Sequence, residues 1–160
     1  MKISTPVKCV CAAALAASGI IATVVWASPP TNFTGEALVV ADRPKPMHVN
    51  SLNGNLKFET THETDTSIVK LVFGAKGKSG WHHHPGMVLV QVAEGQVTVL
   101  DGACNRKTYG VGLPSQVFVE DEDIHNVTSS AGAVAYATAI VKNANPKVFR
   151  IEDSAPSCAQ

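Results

Sequence analysis

Short runs rich in Val, Ile, Thr and aromatic residues, interrupted at close intervals by Gly, Asp and Ser, constrain this chain more than any other feature. The runs cover Leu56 to Thr61, Ile68 to Phe73, Met87 to Ala93, Gln96 to Leu100, Gln116 to Glu120, His125 to Thr128 and Ala133 to Val141. Glu94-Gly95, Asp101-Gly102, Asp121 to Asp123 and Ser129 to Gly132 read as the tight connections between them. In the last run Val134, Tyr136, Thr138 and Ile140 alternate with Ala133, Ala135, Ala137 and Ala139, which gives a strand with one bulky and one small face. No internal repeat and no long helical periodicity competes with this pattern. The expectation is a single all-β domain, a sandwich or barrel, which 160 residues at 45% hydrophobic content can support.

The first 27 residues differ in kind. Lys2 and Lys8 precede an uncharged, Ala-rich stretch from Cys9 to Trp26, and Ala27 offers a small residue before Ser28-Pro29-Pro30. This reads as a secretory signal cut after Ala27. An uncleaved anchor is the competing reading, because the stretch is close to the roughly 20 residues of a bilayer span. After cleavage, eleven basic and thirteen acidic residues leave a formal charge of −2 with no basic stripe, which argues against nucleic acid as a partner. The cysteines then reduce to Cys104 and Cys158, an even count in an oxidising compartment, periplasm or outside the cell. A disulfide between them is expected to pin the C-terminal tail, and two unpaired thiols are the alternative.

The chemistry centres on Trp81-His82-His83-His84-Pro85-Gly86. In an extended segment alternate side chains share a face, so His82 and His84 project together, about 6.6 Å apart along the backbone, and His83 points away. Two imidazoles can grip one ion, and His125, at the start of a later β-run, is the best-placed third ligand by residue type and order. Three neutral imidazoles around a divalent cation leave positions open for water, dioxygen or substrate. The blander possibility is a solvated surface triplet that binds metal adventitiously.

These residues resemble the cupins, small double-stranded β-helix (jelly-roll) proteins with a first motif G-(x)5-H-x-H-(x)3,4-E-(x)6-G and a second G-(x)5-P-x-G-(x)2-H-(x)3-N. His82, His84 and Gly95 match the first motif, with Gly77 one place from its leading glycine. Val88 stands where the glutamate belongs, and Leu89 occupies the other allowed place. His125 matches the second motif, while Glu120 and Glu122 replace its Pro and Gly, Ser129 its Asn, and Gly112 lies two places from its glycine. The resemblance spans Leu56 to Val141, and the stretch from Gly80 through Gly102 with Cys104 and Tyr109 to Gly112 is similar to small exported bacterial cupins of unassigned reaction. With the residue reading, this divides the chain into a signal peptide at 1–27, an N-terminal arm or edge strand at 28–55, a cupin-like barrel at 56–145 and a tail at 146–160. The resemblance also implies a homodimer.

Without the glutamate, the expected site is all-nitrogen, suited to Fe, Zn, Cu or Ni and less to manganese; three-histidine cupins that activate dioxygen resemble it. His48, His62 or an acid of the arm could add a distant fourth ligand. Trp81 could wall the pocket mouth, though packing is its commoner role, and Tyr136 and Thr138 read as core or cross-strand packing. The acidic run Glu120 to Asp123 reads as a solvated turn rather than part of a cation site, and Gln91 and Gln96 as surface residues. No phosphate loop, nucleophile elbow or dinucleotide fingerprint is present. Three functions stay open: a metal-dependent small-molecule enzyme such as a dioxygenase, a non-catalytic module binding metal or a small ligand, and a purely structural exported β-domain.

Overall fold

The computed structural model describes residues 28–43, 45–51 and 53–159; the signal-like segment, with Cys9 and Cys11, lies outside the described residues. The strands are β1 (Thr31–Arg43), β2 (His48–Asn50), β3 (Lys57–Glu59), β4 (Thr64–Lys78), β5 (His82–His83), β6 (Gly86–Asp101), β7 (Arg106–Gly110), β8 (Val117–Glu120), β9 (His125–Ser129), β10 (Ala133–Lys142) and β11 (Ile151–Glu152). One 3₁₀ turn, Ser157–Ala159, is the only helical element among the described residues, and no helix there is long and apolar enough to cross a membrane.

Nine strands form one antiparallel sheet in the order β1-β4-β10-β6-β9-β5-β11, with β7 and β8 on the flank of β6; β2 and β3 form a separate hairpin. The sheet closes because its two longest strands serve both walls. β6 pairs with β10 and β8 through its first half and with β7 and β9 through its second. β4 pairs with β1 and β10 and then, at Gly77 and Lys78, with β9.

Glu94-Gly95 is therefore not the chain reversal expected from sequence. Gly95 takes a φ of +69° beside a register shift opposite Val134 and Ala135, which bends β6 from one wall into the other without breaking it. A Cβ there would sit 2.3 Å from the Gly132 carbonyl oxygen, so only glycine fits. The reversal falls instead at Asp101-Gly102, where the Asp101 carboxylate accepts from the backbone N–H of Ala103 and Asn105 and returns the chain into β7. β7 itself had no clear sequence signal: Arg106-Lys107-Thr108 is polar and exposed because the strand lies on the flank of the sheet.

In β10 the small face points inward: Ala133, Ala135, Ala137, Ala139 and Val141 are buried with Phe73, Val88, Val90, Val92, Val97, Phe118 and Val127. Tyr136 lies outside, paired across the sheet with Lys70 and Gln91. Methyl groups on that wall leave room, and the interior holds a cavity of about 230 Å³ lined by Ala135, Ala137 and Ala139 among others.

Beyond β10 the chain folds back as a strap across the barrel mouth. Its root is anchored on Asp65 of β4, a fully buried carboxylate that accepts from Asn143 Nδ2, the Ala144 N–H and Lys147 Nζ at 2.8, 3.1 and 2.7 Å. Its far end is held by a disulfide between Cys104 and Cys158, with Cα atoms 6.2 Å apart. Between these fixings β11 pairs with β5, Ile151 opposite His83 and Glu152 opposite His82.

Candidate metal centre

The sheet register brings the histidines together. His82 on β5 is the cross-strand partner of His125 on β9, and His84 lies just past the end of β5, its N–H bonded to the Asp121 carbonyl at 3.1 Å. Ring centroids are 4.3 Å apart for His82 and His125, 4.9 Å for His82 and His84, and 5.3 Å for His84 and His125. All three are buried, at 3%, 4% and 8% exposure for His82, His125 and His84. His83 points away and pairs with Asp153 at 2.6 Å, as strand alternation requires.

Each imidazole of the cluster is pinned through Nδ1 to a backbone carbonyl: His82 to Gly80 at 2.9 Å, His84 to Phe149 at 2.6 Å and His125 to Asp123 at 2.7 Å. A carbonyl oxygen can only accept, so each Nδ1 carries the proton. In a neutral ring each Nε2 is then left with a lone pair, and the ring cannot swivel.

A fourth donor joins them, one that sequence reasoning left in a solvated turn. Glu120 is buried at 7% exposure, with Oε2 3.3 Å from His84 Nε2 and Oε1 3.3 Å from His125 Nε2. One donor atom from each of His82, His84, Glu120 and His125 lies within 4.8 Å of the other three. The group of converging donors is thus three nitrogens and one carboxylate oxygen, where the sequence led us to expect nitrogens alone. The physical reason lies in the register, since Glu120 on β8 is the direct cross-strand partner of Val88 on β6. Facing side chains of such a pair stand about 5 Å apart. A carboxylate missing from one strand is thereby supplied by the next. Period-two reading could have found it, because Phe118 and Glu120 are the two buried positions of β8. Asp121, Glu122 and Asp123 are exposed, as a turn should be.

The contacts between Glu120 and the two histidines lack hydrogen-bond direction. His84 Nε2 and His125 Nε2 remain buried without a hydrogen-bond partner. Burial pushes the Glu120 carboxyl up, but contact with His125 and His84 outweighs it and holds the group at about 2. Burial drives the His82 imidazole down, helped by His125 and by the Arg150 guanidinium, to about 3. For His125 burial also lowers the value, and the Glu120 contact reverses that to a net rise. A buried anion amid converging imidazole nitrogens, two of them without a hydrogen bond, is a donor set that could hold a divalent transition metal ion.

His82, His84 and Glu120 form part of the wall of the 230 Å³ cavity, and Phe149 and Arg150 of the strap also line it. His48 and His62 are exposed and bonded to Asn50 and Thr61, and neither they nor any acid of β1 joins the cluster. Trp81 is buried but borders a different groove, beside Cys104 and Cys158.

No family model and no curated protein sequence matches this chain. Solved structures do. A cupin-2 domain protein from Rhodospirillum rubrum superposes with a TM-score of 0.50 at 11% identity, over 82% of this chain and 71% of that one. A mutant salicylate 1,2-dioxygenase from Pseudoaminobacter salicylatoxidans gives 0.44 at 10% identity, over 67% of this chain and 25% of that one. An oxalate oxidase gives 0.38 at 17% identity, over 48% of this chain and 45% of that one. The chain thus spans less than half of the oxalate oxidase and a quarter of the dioxygenase. With its sheet topology and its match to the cupin-2 domain protein, this chain has the double-stranded β-helix fold of the cupins.

Proposed function

We propose that this protein is an exported metallocupin that holds one divalent transition metal ion on His82, His84, His125 and Glu120 and presents it to a small molecule in the adjoining cavity. The observation that carries the reading is the pair of buried nitrogens, His84 Nε2 and His125 Nε2, that make no hydrogen bond and converge on the Glu120 carboxylate at 3.3 Å, their rings held by backbone carbonyls. When bound, such an ion supplies Lewis-acid or redox activation of a small ligand. The chain's own residues do the rest: three backbone carbonyls orient the rings, Glu120 supplies the one negative donor, and mostly apolar side chains wall the cavity.

With an oxygen donor in the set, manganese joins Fe, Zn, Cu and Ni as a fitting ion. A dioxygenase-like enzyme and a non-catalytic binding module remain the two forms of this reading. One observation favours the module. Apart from His82, His84 and Glu120, the polar residues lining the cavity are Ser67, Ser79 and Arg150, and none of these is a carboxylic acid or an imidazole.

Export is part of the proposal, supported by Lys2, Lys8 and the apolar stretch before Ala27 and by the Cys104–Cys158 disulfide. Self-association is too, supported by exposed Ile68, Val72 and Tyr136 on the outer sheet face.

Metal analysis of the purified protein beside His82→Ala and Glu120→Ala variants tests the site. One equivalent of metal in the parent and loss in both variants is expected, and unchanged metal content in the variants overturns it. Oxygen uptake of iron-loaded protein with a panel of thiols and phenols then separates enzyme from module.

A further inference from the structure

The cavity beside the donor cluster has a composition that selects among ligands. Its volume of about 230 Å³ holds about eight non-hydrogen atoms at the liquid share of roughly 30 Å³ each. Leu71, Val90, Phe118 and Ala137 make most of its wall apolar. Of the three polar residues outside the donor set, Ser79 is already used, since its hydroxyl accepts from the Val127 N–H at 2.9 Å and donates within the barrel wall. Ser67 makes no side-chain hydrogen bond, and Arg150 is only partly engaged.

Ser67 is 2% exposed, faces inward from β4, and its Oγ has no hydrogen-bond partner. It lies on the same cross-strand row as the cluster: Ser67 pairs with Ala139, Ala139 with Val88 and Val88 with Glu120. Three strand spacings make about 14 Å along the sheet, so Ser67 lines the cavity three strands away from Glu120.

Arg150 approaches from the strap. Its Nη2 donates to the Ser79 carbonyl at 2.6 Å, and Nε and Nη2 hold Glu152 at 2.5 and 2.9 Å. That leaves Nη1 without a hydrogen bond among the described residues. A divalent ion on three neutral histidines and one carboxylate keeps a net positive charge, and Arg150 adds another at the same cavity, partly offset by Glu152 at the rim.

We infer that the ligand of this cavity is a small organic monocarboxylate of about eight to ten non-hydrogen atoms in all, with an apolar body, its carboxylate held at the Arg150 end and a polar group at its far end reaching Ser67. The inference rests on the metal reading for half of its charge argument and on Arg150 for the other half.

Benzoate and its neutral counterpart benzamide, titrated calorimetrically into metal-loaded and chelator-treated protein, test it. Benzoate binds metal-loaded protein at least about tenfold more tightly than benzamide, a ratio that matches one charge-assisted contact. Arg150→Gln removes the preference, Arg150→Lys keeps part of it, and Ala137→Leu, which fills the cavity, abolishes binding of both while leaving metal content intact. A para-hydroxyl on benzoate adds affinity in the parent and none in Ser67→Ala. Equal binding of the two probes, binding of neither, or an undiminished preference in Arg150→Gln overturns the inference. Protein that takes up no metal overturns the metal reading alone, and the benzoate preference traced to Arg150 in that protein still decides this one.

Discussion

Lowering the pH of chelator-treated protein from 6.5 to 5 should cost it roughly 1.5 to 2 kcal/mol of stability, almost all through His82. The folded imidazole titrates at about 3, against 6.5 for the model side chain, because it is buried and faces His125 and Arg150. Below 6.5 the unfolded chain therefore binds a proton that the folded chain refuses. Stability is complete above that value and falls by about 1.36 kcal/mol per pH unit as the pH drops toward the folded value.

The neighbouring groups leave this window nearly clear. The raised His125 contributes in the opposite sense, with stability that is present at low pH and lost as pH rises through its folded value, so its variation lies mainly above 6.5. Glu120, depressed from 4.5 to about 2, loses its contribution only between those two values. Urea unfolding followed by far-ultraviolet circular dichroism at each half unit of pH measures the slope. The same series on His82→Asn, which keeps an N–H for the Gly80 carbonyl but does not titrate, should be flat over this interval. A parent protein equally stable at both ends, or a variant that keeps the parent's slope, refutes the reasoning. Metal-loaded protein should show a steeper acid loss, because protons compete with the ion for the same nitrogens.

Three further outcomes are expected of the site and its supports. Glu120→Val should weaken metal binding at least about tenfold, and adding Val88→Glu should restore much of it, since the two positions face each other across β6 and β8; competitive chelator titration measures both. Reducing the Cys104–Cys158 bridge should cost about 4 kcal/mol on the loop-entropy estimate, read as a lowered Tm, and should weaken metal binding because the strap carries the carbonyl that orients His84. Gly95→Ala should destabilise by about 2 to 4 kcal/mol in urea unfolding, as both its φ of +69° and the Gly132 carbonyl oppose a side chain.

The split between what could be read along the chain and what could not follows the range of the interactions. The alternation in β10 and the His-x-His spacing are local, and both survive in the structure because period two is a property of any extended backbone. The bend at Gly95 reads as a turn in the sequence because a positive-φ glycine serves a bulge as well as a hairpin, and only the pairing of β6 with β10 up to Gly95 and with β7 beyond it distinguishes them. The strap carries no periodic signal at all. Phe149 matters to the centre through its carbonyl, which any residue would supply, so its position is set by the anchors at Asp65 and Cys158.

Glu120 is the instructive case. Read along the chain, it stands where a proline belongs and opens a run of four acids, which favours solvent. Read across the sheet, it stands beside Val88, the very place where a carboxylate was missing. A motif records the order of ligands on one strand, whereas an ion responds only to where donor atoms end up. The loss of a ligand from a β-strand motif is therefore incomplete as an argument until the residues paired with that position have been read as well.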